Sequence, residues 1–111
     1  MSKFDDKLAL YNKSMTENTK SSVDGDLLRK VAKGLGPSIY LKDAGLVSCN
    51  DQTELDRVKT NFLTKKLGMS DDAKMDAAIK AVCEEYTARM KHRAVFYYLL
   101  TKKTGNEAIY G

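Results

Sequence analysis

The stretch Arg93-Ala94-Val95-Phe96-Tyr97-Tyr98-Leu99-Leu100 constrains the fold more than any other part of the chain. Residues 94–100 are all apolar or aromatic, and something must cover them. The run is too short to cross a bilayer, which takes about 20 helical residues. It is a buried strand or a buried helix, and periodicity alone does not separate the two. Context favours the helix. There is no second run of β-branched alternation and no Asn-Gly or Asp-Gly hairpin signal between such runs, and a lone strand would leave its backbone donors and acceptors unpaired. Leu, Ala and the flanking Lys and Arg are good helix formers. The expected helix spans about Lys91 to Lys103 and stops at Gly105. Apolar residues on most of its circumference make it central. Burial of Val95, Phe96, Leu99 and Leu100 contributes about 1.5–3 kcal/mol each. The basic flanks deter aggregation while the run is exposed during folding.

The upstream segments are amphipathic and suited to cover that helix. Phe4, Leu8, Tyr11 and Met15 share one helical face, so a helix is expected over Lys3–Glu17. Asp24 or Ser22 caps a second helix carrying Leu27, Leu28, Val31, Ala32 and Leu35, which ends at Gly34, Gly36 and Pro37. Ser38–Leu41 adds a turn, and Asp43–Val47 is a candidate short helix. Asp51 with Glu54 has a capping spacing and opens a helix to Leu67, stopped by Gly68. Ser70 caps the next, with Asp71 and Asp72 in its first turn and Met75, Ala78, Ile79, Val82, Cys83 and Tyr86 on its buried face. That stripe and the one on the central helix point about 120° apart. A break between Thr87 and His92 follows; a single long helix over 71–103 with a rotating face is the alternative.

Length and charge bound the rest. A chain of 111 residues is one domain by size, 1–111, able to bury a core without disulfides. The N-terminus lacks the apolar segment of a signal peptide and no segment is long enough to span a membrane, so a cytoplasmic location is expected. Cys49 and Cys83 are far apart and form no CxxC pair; they read as small, partly buried hydrophobes in a reducing compartment. Residues 1–55 carry 8 basic and 8 acidic side chains, whereas residues 56–111 carry 11 and 7. Between Tyr86 and Asn106 there are basic residues at Arg89, Lys91, Arg93, Lys102 and Lys103 and no acid. This cluster is the candidate contact for nucleic acid or an acidic partner.

Three stretches, Lys33-Gly34-Leu35-Gly36-Pro37-Ser38-Ile39-Tyr40, Asn61-Phe62-Leu63-Thr64-Lys65-Lys66-Leu67-Gly68 and Arg93–Leu100, resemble in order and spacing the bacterial domain-of-unknown-function 2853 family. Ser2-Lys3-Phe4-Asp5 and Val47-Ser48-Cys49 fit as well. The resemblance implies a small helical protein of bacterial origin with no assigned activity, and it supplies no catalytic residues.

Chemistry-bearing motifs are sparse. The glycines of Lys33–Pro37 end a helix, where the dipole is negative and repels phosphate, and the spacing is neither GxxxxGK[ST] nor GxGxxG. His92 has no sequence-evident nucleophile and orienting acid; a Cys–His pair with Cys49 or Cys83 and a metal site lacking a fourth ligand are the weaker readings. Asp71, Asp72 and Asp76 sit where a helix start explains them. Tyr97 and Tyr98 beside Arg93 and Lys102 read as core rings rather than base-stacking platforms. The expectation is therefore an all-α bundle of about five helices around a central C-terminal helix, with no catalytic, cofactor or metal residues. The expected role is a non-enzymatic binding or accessory protein that meets another protein or its own copy through a helical surface. The alternative is electrostatic nucleic-acid binding through the basic cluster. An enzyme stands third and requires a pocket gathering Cys49, His92 or the tyrosines.

Overall fold

The apolar run is helical and central. A computed structural model describes residues 2–41 and 44–110. In chain order it has α1 (Lys3–Asn18), α2 (Gly25–Leu35), β1 (Leu46–Val47), α3 (Gln52–Val58), α4 (Asp72–Glu85), β2 (Lys91–His92) and α5 (Arg93–Thr104). Single 3₁₀ turns follow α2 (Gly36–Tyr40) and α5 (Glu107–Tyr110). Every residue from Ala94 to Thr101 is buried, and α1, α2 and α4 all pack against α5. The all-α bundle expected from the sequence is what forms, with a radius of gyration of 12.8 Å.

Local chemistry sets the helix ends. Ser2 accepts a hydrogen bond from the Asp5 amide, Asp24 from Leu27, Asp51 from Thr53 and Glu54, and Asp71 from Lys74. Each satisfies amides that the first helical turn leaves without partners. The cap of α4 is thus Asp71 and not Ser70. Its carboxylate also answers the positive end of the helix dipole. At the other end of the chain, Gly105 terminates α5 with φ 70°, a left-handed conformation natural to glycine.

The helix expected from Asp51 to Leu67 changes form part-way. After Val58 it continues through Lys59–Thr64 with π geometry. The amides of Lys65 and Leu67 bond back to the carbonyls of Thr60 and Phe62, five residues earlier, at 3.2 and 2.9 Å. The wider turn brings both Phe62 and Leu63 into the core, and Phe62 stacks on Tyr97 with ring centroids 4.0 Å apart. A uniform α-helical register misses this local unwinding.

Two short strands were not expected. β1 pairs antiparallel with β2, Leu46 opposite His92 and Val47 opposite Lys91. Two-residue strands carry no readable alternation; long-range hydrogen bonds fix them, among them Arg93 N–H to Gly45 C=O at 2.8 Å. Of the candidate helix Asp43–Val47, Asp43 lies outside the described residues, Ala44 and Gly45 form a turn, and Leu46–Val47 are extended. The segment between α4 and α5 is a true break. The Thr87 amide bonds Asn18 C=O at 3.0 Å, and the Tyr86 hydroxyl meets Ser14 Oγ at 2.6 Å and accepts from the His92 amide at 3.2 Å. These contacts replace helical hydrogen bonds, so no glycine or proline is needed to stop α4.

Candidate functional site

The five basic residues singled out by sequence lie at both ends of α5. Arg89, Lys91 and Arg93 are at or before its start and Lys102 and Lys103 are in its last turn. A rise of 1.5 Å per residue puts these groups roughly 15 Å apart along the axis. Arg93 is turned inward: its guanidinium donates to Ala44 C=O (2.6 Å), Leu46 C=O (3.0 Å), the Tyr97 hydroxyl (3.1 Å) and the Glu54 carboxylate. Burial lowers the guanidinium pKa, but the Glu54 carboxylate and the Tyr97 hydroxyl together outweigh it and the net shift is upward.

Lys103 bonds Glu85 at 2.8 Å, and Ser21 donates to the same carboxylate. Burial raises the Glu85 pKa, yet the bonds from Lys103 and Ser21 prevail and hold it below its ordinary value. Lys91 Nζ donates to Ala88 C=O at 2.9 Å. Arg89 and Lys102 are exposed, with no carboxylate among the described residues in ion-pair reach.

The remaining candidates resolve into structural roles. The Tyr98 hydroxyl accepts from the Asp24 amide at 2.8 Å and donates to Ser22 C=O at 3.1 Å. Asp72 and Asp76 hold Lys59 at 3.3 and 3.1 Å. Among the described residues no group of three or more His, Cys, Asp or Glu side chains could hold a metal ion. His92 packs on Tyr11 with ring centroids 5.3 Å apart. Burial, then the charge of Lys7, lowers its pKa.

The cysteines require a correction. Cys49 and Cys83, expected as two small hydrophobes, are joined in a disulfide. The fold sets the short segment ahead of α3 beside the last turns of α4; with a sequence separation of 34 and no CxxC spacing, nothing in the sequence signalled the pair. The bond removes both thiols as nucleophiles, and His92 lines a different groove from Cys49.

Three surface concavities stand out. One, about 280 Å³, runs between α1 and the segment before β2, with Leu10, Lys13, Glu17, Arg89, Met90 and His92 in its walls. Leu10 and Met90, 42% and 56% exposed, are two of the five large apolar side chains exposed among the described residues, and they share one rim. A second, about 460 Å³, separates α3 and its π continuation from α4 and carries the disulfide in its wall. A third, about 410 Å³, lies between Leu46–Asp51 and Arg89–Lys91. The sequence marked Arg89 and Lys91 by charge; Leu10 and Met90 carried no signal, because a single apolar residue off a buried stripe does not say what it faces.

A sequence profile of the family described as a protein of unknown function (DUF2853) matches residues 10–108 of the 111. The chain belongs to that family. No curated protein matches it. The matched span of this DUF2853 protein runs from Leu10, on the rim of the first groove, past both cysteines to Ala108. The family's description supplies no activity, so the DUF2853 fold has to be read from its own surfaces. No helix among the described residues is long and apolar enough to cross a membrane.

Proposed function

We propose that the chain is a cytoplasmic, non-enzymatic binding or accessory protein, and that the groove between α1 and Ala88–His92 is its contact surface. The observation that carries this is the joint exposure of Leu10 and Met90 on one rim. Apolar side chains held in water at the edge of a concavity favour a partner's apolar residues. Lys13 and Arg89 beside them add charge that orients an incoming chain. The test is a photo-cross-linking residue at position 90 in living cells, with position 26 on α2 as the control. The expected result is one defined adduct, to another protein or to a second copy, that is lost on Leu10→Glu. No adduct at 90, or the same adducts at 26, overturns the reading.

The second reading is phosphate contact through the basic cluster Arg89, Lys91, Arg93, Lys102 and Lys103, in which Arg93 is engaged inside by Glu54 and Lys103 by Glu85, so that Arg89 and Lys102 would carry most of the contact. Its support is the exposure of Arg89 and Lys102. Fluorescence anisotropy with labelled DNA and RNA at about 50 and 200 mM salt tests it, because phosphate contacts weaken steeply with salt. Flat curves at both salts sink it.

A further inference from the structure

We propose that the Cys49–Cys83 disulfide is a reversible thiol-exchange site, attacked at Cys49 by an anionic low-molecular-weight thiol that enters over Arg89 and Lys91. The disulfide itself is outside the contact groove above, but the groove that leads to Cys49 shares Arg89 and Met90 with it; the exchange needs no protein partner and so does not rest on that reading.

The disulfide sits at the margin of the fold. Both cysteines are half-buried and pack against the outside of a core cluster made by other residues. α4 is held to that core independently, through Met75, Ala78, Ile79 and Val82, all buried. The chain segment carrying Cys49 is tied on one side by the β1–β2 pair and on the other by the Asp51 cap of α3. Breaking the sulfur–sulfur bond therefore removes a link between α3 and α4 without removing the packing that defines them. A staple that is essential to a small domain has no such support behind it.

Access is unequal for the two sulfurs. Cys49 and Cys83 both line the α3–α4 cleft, but Cys49 also lines the groove between Leu46–Asp51 and Arg89–Lys91, where Cys83 takes no part. A thiolate displaces one sulfur from the other, so it must reach its target from the side away from the bond that breaks. The second groove opens a further side of Cys49, and not of Cys83, to solvent. The same groove presents Arg89, exposed, and Lys91, while its two carboxylates are engaged, Glu54 with Arg93 and Asp51 with the amides that open α3; the cations favour an attacking thiolate and any carboxylates it carries.

The exchange balances as follows. A thiolate RS⁻ attacks Cys49 Sγ, the Cys49–Cys83 bond breaks, and Cys83 leaves as a thiolate that takes a proton from water. A second RS⁻ attacks the thiol sulfur of the mixed disulfide, releasing RSSR and the Cys49 thiolate, which is then protonated. Two electrons pass from two thiols to the protein disulfide; RSSR reverses the sequence. In a reducing compartment the bond would be the oxidised form of a switch that ties or frees α3 and α4. Disulfides that persist there are mostly of this kind.

The experiment treats the native protein with reduced glutathione or with 2-mercaptoethanol, then quenches by alkylation and maps the adducts by mass spectrometry. A glutathione adduct on Cys49 followed by two free cysteines, with helical circular dichroism retained, is the expected result. Arg89→Glu should slow glutathione by about fivefold or more and slow 2-mercaptoethanol, whose thiolate is its only charge, by clearly less. Adducts only on Cys83, equal effects of Arg89→Glu on both thiols, or reaction only in denaturant overturn the proposal. Cys83→Ser supplies an independent arm: oxidised glutathione should then cap Cys49 in the folded chain, and a Cys49 that stays unmodified overturns it.

Discussion

The guanidinium of Arg93 is bonded to the carboxylate of Glu54, and the two side chains are only 15% and 17% exposed. Arg93 opens α5 while Glu54 stands in the first turn of α3, so the pair fastens the central helix to the helix that follows β1. A buried charge stripped of its partner is costly. Arg93→Ala should destabilise the protein by about 3–5 kcal/mol, read as a shifted urea midpoint. Arg93→Lys should recover only part of this, because one ammonium cannot reach Ala44, Leu46, Tyr97 and Glu54 together.

Tyr98 should behave as a structural hydroxyl. Tyr98→Phe leaves the Asp24 amide and the Ser22 carbonyl without their partner. The expected cost is about 1–3 kcal/mol, with faster amide hydrogen exchange at Asp24 and the start of α2. An unchanged midpoint would show that water replaces the hydroxyl freely.

Two glycines should respond oppositely to alanine. A Cβ on Gly45 would stand 2.8 Å from Leu41 C=O and 3.2 Å from Ile39 C=O, whereas nothing lies within 4 Å of one on Gly25. Gly45→Ala should destabilise by about 1–3 kcal/mol. Gly25→Ala, in the first turn of α2, should stabilise by about 0.4–1 kcal/mol by restricting the unfolded chain. Thermal melts of the two variants check the pair.

The disulfide closes a long loop, with a sequence separation of 34. Removing it with Cys49→Ser and Cys83→Ser should cost about 2–4 kcal/mol and leave the helical circular dichroism intact. Comparison of oxidised and reduced wild-type protein by urea unfolding gives the same quantity without substitution.

Acid should destabilise in two stages. His92 is held below its ordinary value of 6.5 by burial and by Lys7. The unfolded chain therefore takes up the proton first, and stability falls as pH drops below about 6.5. Glu85 is also held low, so its contribution is present above its unfolded value of 4.5 and is lost as pH falls through the lower folded value. Urea midpoints measured from pH 8 to 3 should show both stages, and His92→Gln should remove the upper one.

The helices were legible where burial follows a simple period. Tyr11 and Met15, Leu28 and Val31, and Ile79 and Val82 are all buried where their spacing put them. The break after Tyr86 was legible from the change of stripe direction. The π turn at Lys59–Thr64, the β1–β2 pair and the Cys49–Cys83 bond were not, since each is set by partners distant in sequence or by a local departure from α geometry. Of the basic cluster, charge was readable but engagement was not. Arg93 and Lys103 meet Glu54 and Glu85, whose proximity appears only once the helices have packed.

The sequence alone determined an α-helical bundle around Ala94–Leu100, because a dense apolar run flanked by amphipathic segments has few ways to leave water. It also determined most helix ends, since caps and terminal glycines act within a few residues. Tertiary structure alone decided which cations remain at the surface, that Leu10 and Met90 share a rim, and that the cysteines meet. Those are relations between segments, and a local pattern carries no distance between them.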